Sequence, residues 1–253
     1  MSFITKQELQ TQEQELRQAV EFALNFAKKA GAEAEVGVTK VAGLSVSSRL
    51  EQVENIEFNN DGSLGISVYL GKRKGNASTS DLQPQSIQRA VESALAIAKY
   101  TSEDDCAGLA DKELMAFDAP DLELYHQANL SVDQVLALAI EAENAALNAD
   151  EQIVNSEGAT FNSHSGVRVY GNTHGMLQSN LSSRYSLSCS VIAAHGEQLE
   201  RDYEYTISRE FDKLQAPQWV GQQAAFKAVD RLNPQKIKTC EVPVVYYNDV
   251  ATG

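Results

Sequence analysis

The chain has 253 residues, enough for one large domain or two small ones with a sizeable buried core. Its formal net charge of −14 argues against a nucleic-acid-binding surface, which needs clustered lysine and arginine to displace counterions. No run approaches the roughly 20 apolar residues that span a bilayer. From the charge we expect no direct nucleic-acid contact, and from the absence of an apolar run we expect no membrane contact.

The N-terminus and the cysteines both indicate a cytoplasmic protein. Residues 1–5 lack the basic and apolar regions of a secretory signal. The cysteines are odd in number, far apart and without a Cys-x-x-Cys pair, which excludes a disulfide framework and argues against structural zinc. We expect unpaired thiols in a reducing compartment at Cys106, Cys189 and Cys240.

Four segments carry the period and the end signals of α-helices. The first opens on a capping box at residues 5–8 (Thr-Lys-Gln-Glu) and stops before Gly31. The second begins near Pro84. A second capping box at residues 131–134 (Ser-Val-Asp-Gln) opens the third helix, and the fourth begins near Pro217.

Between the helices the hydrophobic period falls to two, which indicates strands. Residues 36–47 alternate, and Asn-Asn-Asp-Gly at 59–62 predicts a hairpin turn after them. A second strand block covers about 151–205, with turns predicted at 172–175 and 195–197. The expected fold class is α+β, with antiparallel or mixed sheets flanked by helices.

A five-residue pattern occurs twice and predicts two similar halves. Residues 65–69 and 166–170 share the order Gly, β-branched, polar, Val, Tyr. Each is followed by a Gly-containing turn, a Ser-rich strand and an alanine-rich helix. We expect halves at 1–102 and 131–238, joined by an acidic, turn-rich connector at 103–130.

The end of the chain predicts the start of a further domain. Residues 242–247 (Val-Pro-Val-Val-Tyr-Tyr) have the composition of a buried strand, and the sequence stops shortly afterwards at Gly253. We therefore expect residues 1–238 to form the α+β domain. Residues 239–253 would then be the first strand of a mainly β C-terminal domain that is otherwise missing.

The histidines and carboxylates do not form a metal-binding pattern. Zinc hydrolases place two histidines four or five residues apart on a helix. Here His164 and His174 could approach each other across a hairpin, but the spacing suggests no third ligand. Glu51, Glu54 and Glu57 cannot all converge, because odd and even strand positions face opposite sides. The remaining histidines are His126 and His195.

Nucleophile and phosphate-binding motifs are also missing. There is no Gly-x-Ser-x-Gly, and the serines at 182–190 alternate like one face of a strand. The basic run at 72–74 is followed by Gly75 and is typical of a solvated turn. From the residues alone we predict no catalytic, cofactor-binding or metal-ligating residue in this chain.

An ordered set of stretches along the whole chain resembles the TldD/PmbA family. Residues 61–69 and 73–82, with the alanine-rich helix after Pro84, look like the N-terminal signature of that family. Further stretches resemble its PmbA branch, also called TldE, at 106–114, 117–122, 161–167, 171–177, 200–207 and 219–221.

The resemblance implies a role in proteolysis without chemistry of its own. In this family a TldD-type subunit carries a His-Glu-x-x-x-His zinc site, and the PmbA-type subunit lacks that motif but is required for activity. Together they form a cytoplasmic protease of unfolded peptides, including a microcin precursor and an antitoxin linked to DNA gyrase control. We expect a non-catalytic subunit of a heterodimer, without a cofactor in this chain and with zinc only in the TldD-type partner.

Two other functions stay open. The oligomeric state of the isolated chain also stays open, and a homodimer is one possibility. The protein could be a metalloprotease in its own right, with its metal site in the missing C-terminal part. It could instead be a protein-binding modulator of DNA gyrase, as the family's older name suggests. A His-Glu-x-x-x-His beyond Gly253 would distinguish the first of these.

Overall fold

A computed structural model of the chain describes residues 4–251 and confirms the α+β fold class. The helices are α1 (Lys6–Lys29), α2 (Pro84–Tyr100), α3 (Val132–Leu147), α4 (Pro217–Asp230) and the short α5 (Asn248–Ala251). The strands are β1 (Glu33–Arg49), β2 (Gln52–Leu70), β3 (Arg73–Thr79), β4 (Ile153–Asn172), β5 (Leu177–His195) and β6 (Gln198–Ser208). They form one antiparallel sheet in the order β3-β2-β1-β4-β5-β6.

The helix starts lie where the local signals predict them. Thr5 and Glu8 exchange the two hydrogen bonds of a capping box at the start of α1, and Ser131 and Gln134 do the same for α3. α2 and α4 each open with a proline, whose missing N–H is not needed in the first turn. Among residues 4–251, no helix is long and apolar enough to cross a bilayer.

The fold consists of two α-β-β-β-α units that share one sheet. The first unit is α1, β1, β2, β3 and α2, and the second is α3, β4, β5, β6 and α4. β1 and β4 pair in the centre, and the four long helices cover one side of the sheet, here called the helix side. The other side is called the open side.

The two central strands each contribute to both hydrophobic cores. The first half of β1 packs under α1 and α2 through Ala34 and Val36, whereas Leu44 and Val46 further along pack under α3 and α4. β4 is shared in the same way. Because of this sharing, the two units are interlocked along the central strand pair.

The five-residue echo does not mark equivalent positions in the two units. Residues 65–69 lie in β2, the second strand of its unit, whereas residues 166–170 lie in β4, the first strand of the other. Both stretches flank β1 in the same sheet. The repeat therefore does not correspond to the two units, and the domain boundaries drawn from it stay a prediction.

The hairpin predicted at residues 59–62 is wrong. This stretch lies inside β2 and pairs with residues 40–43 of β1. The chain turns at Leu50 and Glu51 instead, with φ angles of +49° and +64°. Turn propensity is a weak local preference, and apolar cross-strand pairs on both sides of the stretch, Leu44 with Phe58 and Val38 with Leu64, continue the ladder through it. The turns predicted at 172–175 and 195–197 are confirmed.

The strand predicted at residues 242–247 is not formed. Among the residues that the structure describes, nothing pairs with this stretch, and Val245, Tyr246 and Tyr247 are exposed. A strand needs a neighbour for its backbone hydrogen bonds, which this part of the chain does not find. The assignment of residues 239–253 to a further domain stays a prediction.

Candidate interaction surface

The structure does not bring His164 and His174 together. His164 lies on the open side in the middle of β4, opposite Arg184, and burial together with the Arg184 charge lowers its pKa. His174 lies in the turn after β4, where its Nε2 is 3.3 Å from a carboxylate oxygen of Glu33. The two imidazoles therefore have separate surroundings, one beside a cation and the other beside an anion.

The other two histidines each contact a polar group beside them. His126 Nε2 lies 2.8 Å from the backbone carbonyl oxygen of Glu123, and His195 Nδ1 lies 3.3 Å from the side-chain amide of Gln152. Within residues 4–251, no three His, Cys, Asp or Glu side chains come together around a point that could hold a metal ion.

Glu143 is a fully buried carboxylate with a structural role. From α3 it accepts hydrogen bonds from Ser48 Oγ (3.1 Å) and from the backbone amides of Leu50 (2.7 Å) and Glu51 (3.3 Å). These are the amides of the β1–β2 turn, whose left-handed backbone most side chains disfavour. The carboxylate therefore holds this turn. Sequence reasoning missed it, because nothing near Glu143 along the chain indicates the contact.

The thiol of Cys189 is buried in the core. Burial, and to a lesser extent the negative charge of Glu143, raise its pKa to about 12. The thiolate is the reactive form of cysteine, and a thiol with this pKa stays protonated at neutral pH. The residue acts as a small apolar side chain in the core under α3 and α4.

A second carboxylate, Glu35, is held by two tyrosines on the open side. Tyr69 donates to it at 2.8 Å and Tyr170 at 3.1 Å. Burial is the first cause that raises the pKa of both phenols, and the Glu35 carboxylate adds to it. The amide of Asn172 then contacts the sulfur of Met115, so this cluster joins the connector to the end of the sheet.

The acidic residues of β2 depart from the predicted alternation. A bulge at Ser47 and Ser48 shifts the register, so that Glu54 accepts a hydrogen bond from Ser47 on the open side. Glu57 pairs with Ser45 and faces the same side. Two of the three glutamates therefore share a face, and the third, Glu51, lies in the turn.

The open side of the sheet is polar over most of its width. Its side chains are mainly hydroxyls and amides, which can hydrogen-bond to a partner, and include Ser45, Thr160, Asn162, Ser186, Ser188 and Ser190. At the β6 border, Tyr203 and Tyr205 stack with ring centroids 6.4 Å apart and are exposed. Such a surface presents hydrogen-bond donors and acceptors, together with a flat aromatic contact at one border.

The connector protects one stretch of strand edge. β6 pairs with β5 only from Tyr185 to His195, which leaves residues 177–184 of β5 without a strand on the side away from β4. The connector runs along this stretch, where the carbonyl of Leu124 accepts from the amide of Ser183 at 3.0 Å. His126 N–H donates to Ser183 Oγ at 2.8 Å, and Tyr185 donates to the His126 carbonyl at 2.8 Å.

The chain matches known families and relatives over most of its length. The PmbA/TldA metallopeptidase domain 1 matches residues 34–98, and the PmbA/TldA metallopeptidase central domain matches residues 125–232. A Metalloprotease PmbA homolog of Haemophilus influenzae is 71% identical over 97% of this chain and 54% of the relative. Metalloprotease PmbA of Escherichia coli O157:H7 is 54% identical over 97% of this chain and 55% of the relative. The chain thus spans about half the length of the curated relatives it matches.

Solved structures share the fold. A proposed modulator of DNA gyrase from Bacteroides thetaiotaomicron superposes with a TM-score of 0.78 at 23% identity, over 93% of this chain and 52% of the other. TldE from Thermococcus kodakarensis superposes with a TM-score of 0.60 at 16% identity, over 85% of this chain and 47% of the other.

The fold defines an α+β domain of two α-β-β-β-α units that share one sheet, of the kind found in a group of metallopeptidases. The order of the two matched domains and the identities to the curated relatives make the assignment specific. The chain belongs to the PmbA/TldD metallopeptidase family.

Proposed function

We propose that this chain is the N-terminal part of a non-catalytic, PmbA/TldE-like subunit. It would work in a cytoplasmic heterodimer with a TldD-type zinc metallopeptidase on unfolded peptides, including a microcin precursor and an antitoxin linked to gyrase control. Zinc and the catalytic residues would come from the TldD-type partner. No cofactor is proposed for this chain.

One observation supports the non-catalytic role most directly: within residues 4–251, the two carboxylates held inside the fold are committed to structural bonds, and the one buried thiol is shielded by the core. The Glu143 carboxylate binds the β1–β2 turn, and Glu35 binds two tyrosines. The Cys189 thiol is buried, with its pKa raised to about 12. A group already engaged in this way must break those bonds before it can act on a substrate.

The surface supports the second half of the proposal, the binding of unfolded chains. An extended peptide has backbone donors and acceptors at regular spacing, and a protein can meet them with strand edges and rows of hydroxyls. The open side carries such rows on β4 and β5. The exposed, stacked Tyr203 and Tyr205 add a flat apolar contact for side chains of differing sequence.

The test is reconstitution. An unfolded peptide is incubated with the full-length protein, with a TldD-type partner, and with both, and cleavage is followed by mass spectrometry. We expect cleavage only, or much faster, with both subunits, and its loss on chelation of zinc. A partner that is equally active with and without this protein would overturn the subunit role.

The same experiment separates the two alternatives. Cleavage by the full-length protein alone, abolished by a chelator, would identify a metalloprotease in its own right. A modulator of DNA gyrase, the description carried by the Bacteroides structure, would bind gyrase without any TldD-type subunit. With a net charge of −14, such binding would be to the gyrase protein and not to its DNA.

A further inference from the structure

One long strand edge of the sheet has no neighbour. β3 pairs with β2 only from Leu64 to Leu70, so residues 52–63 of β2 have β1 on one side and nothing on the other among residues 4–251. Every residue of this stretch except Asn59 is exposed. At about 3.3 Å per residue, the free edge is about 40 Å long.

The helix side of this edge carries an apolar row. Val53, Ile56 and Phe58 are 49%, 42% and 46% exposed. Phe58 pairs with Leu44 on β1, and Ile56 pairs with Val46. Leu44 and Val46 are buried in the core under α3 and α4, so the row extends that core to the edge of the sheet. Strand edges are normally protected from pairing by charges and bulges. This edge carries both devices, a bulge beside Ser47 and a row of carboxylates, and in addition it leaves three large apolar side chains in water.

The open side of the same edge is acidic. Glu54, Glu57 and Asp61 lie along it, and the sequence from residue 50 to residue 63 contains no lysine or arginine. A partner strand therefore meets carboxylates on one face and apolar side chains on the other. Lysine or arginine alternating with aliphatic residues is the sequence that fits both faces.

The equivalent edge in the second unit is partly covered by the connector. There the backbone of the connector bonds Ser183 through Leu124 and His126, and a cavity of about 710 Å³ lies between the connector and residues 178–181. β2 has the same place in the first unit as β5 has in the second. Its free edge has no corresponding segment within residues 4–251.

A cleft next to the apolar row offers room for one further side chain. It has a volume of about 520 Å³ and is lined by Phe58, Leu44 and Ser163, among others. The Ser163 hydroxyl is buried and has no hydrogen-bond partner among the described residues. Such a group is stabilised by an incoming donor or acceptor.

We propose that residues 52–63 bind an extended, basic peptide segment as a seventh strand of the sheet. The proposal takes one point from the proposed function: the segment that binds is part of an unfolded peptide and not of a folded partner. A second copy of this chain does not fit, because antiparallel pairing of two such edges brings their carboxylates together without any cation.

The test is peptide binding by the full-length protein, measured by fluorescence anisotropy at low salt. The probe is a labelled peptide of about ten residues in which lysine and valine alternate. A glutamate–valine peptide reports on charge. A lysine–valine peptide with a central proline reports on backbone pairing. We expect the first to bind, and the other two to bind at least about tenfold more weakly.

The decisive variant exchanges the charge of the edge. Glu54→Lys with Glu57→Lys should weaken binding of the lysine peptide about tenfold and reverse the preference toward the glutamate peptide. The control carries the same charge change at the exposed Glu151 and Glu197, away from the edge, and should bind like the wild type. Hydrogen exchange should show protection of the amides at 52–63 when peptide is bound.

Several results would overturn the proposal. They are equal binding of the two charged peptides, equal effects of the edge and control variants, protection of amides elsewhere than 52–63, or self-association of the protein through this edge. None of these depends on proteolysis. Failure of the edge and failure of the subunit role can therefore be told apart.

Discussion

Replacing Glu143 tests whether one buried carboxylate determines where the first hairpin turns. It is fully buried and accepts three hydrogen bonds, from Ser48 Oγ and from the amides of Leu50 and Glu51. In Glu143→Ala these donors lose their acceptor, although the turn is exposed enough for water to reach both amides. Glu143→Gln keeps one acceptor oxygen at the same place.

The expected cost follows from these contacts. Hydrogen bonds to a charged acceptor contribute about 1.5–3 kcal/mol each, and water recovers part of that at the two amides. We expect Glu143→Ala to lower the free energy of unfolding by about 3 kcal/mol, and Glu143→Gln by about half as much. Leu50→Asn with Glu51→Gly, residues that accept positive φ, should raise it by about 1–2 kcal/mol.

Urea unfolding followed by circular dichroism measures these changes. Glu141→Ala is the matched control, because Glu141 lies on the same helix but is exposed, and we expect a change below about 0.5 kcal/mol. In the protein that already carries Leu50→Asn and Glu51→Gly, Glu143→Ala should lower the free energy of unfolding by less. Asparagine and glycine adopt the turn's positive φ angles without help from the carboxylate. If Glu143→Ala costs no more than the control, the carboxylate does not hold the turn and the argument fails.

Three further predictions concern the core. Gly75→Ala places a methyl group against the backbone of α2 and should cost about 2–3 kcal/mol, whereas Gly37→Ala, with open space around it, should change stability by less than about 1 kcal/mol; equal costs would contradict this packing. The Cys189 thiol should react with thiol reagents only on unfolding, and its replacement by alanine should flatten the fall in stability at alkaline pH. That fall arises because its pKa is about 12 in the folded protein against 9.0 for the free group, so that stability decreases as the pH rises above about 9. Ser163→Ala should be neutral or stabilising by up to about 1 kcal/mol because its hydroxyl has no partner, whereas Ser156→Ala removes an acceptor from a backbone amide and should cost about 1 kcal/mol; the same sign for both in thermal unfolding would refute the assignment.

Local signals in the sequence determined the helices. The capping boxes that begin at Thr5 and Ser131, and the prolines that open α2 and α4, act within one turn of the chain, so residue types and spacing suffice to place them. The turns at residues 172–175 and 195–197 were predictable for the same reason. The α+β class and the family resemblance also followed from the sequence.

Tertiary contacts decided where the first hairpin turns and which edge is free. The chain turns at Leu50 because the carboxylate of Glu143, 93 residues further along the chain, binds the Leu50 amide. The Asn-Asn-Asp-Gly stretch instead stays within the ladder between β1 and β2. Glu54 and Glu57 share a face only because of a bulge that the pairing of β1 with β2 creates. The free edge of β2 follows from strand order and from the short length of β3. These features depend on contacts between residues that are far apart in the chain. A pattern read from neighbouring residues carries no information about the free energy of such contacts.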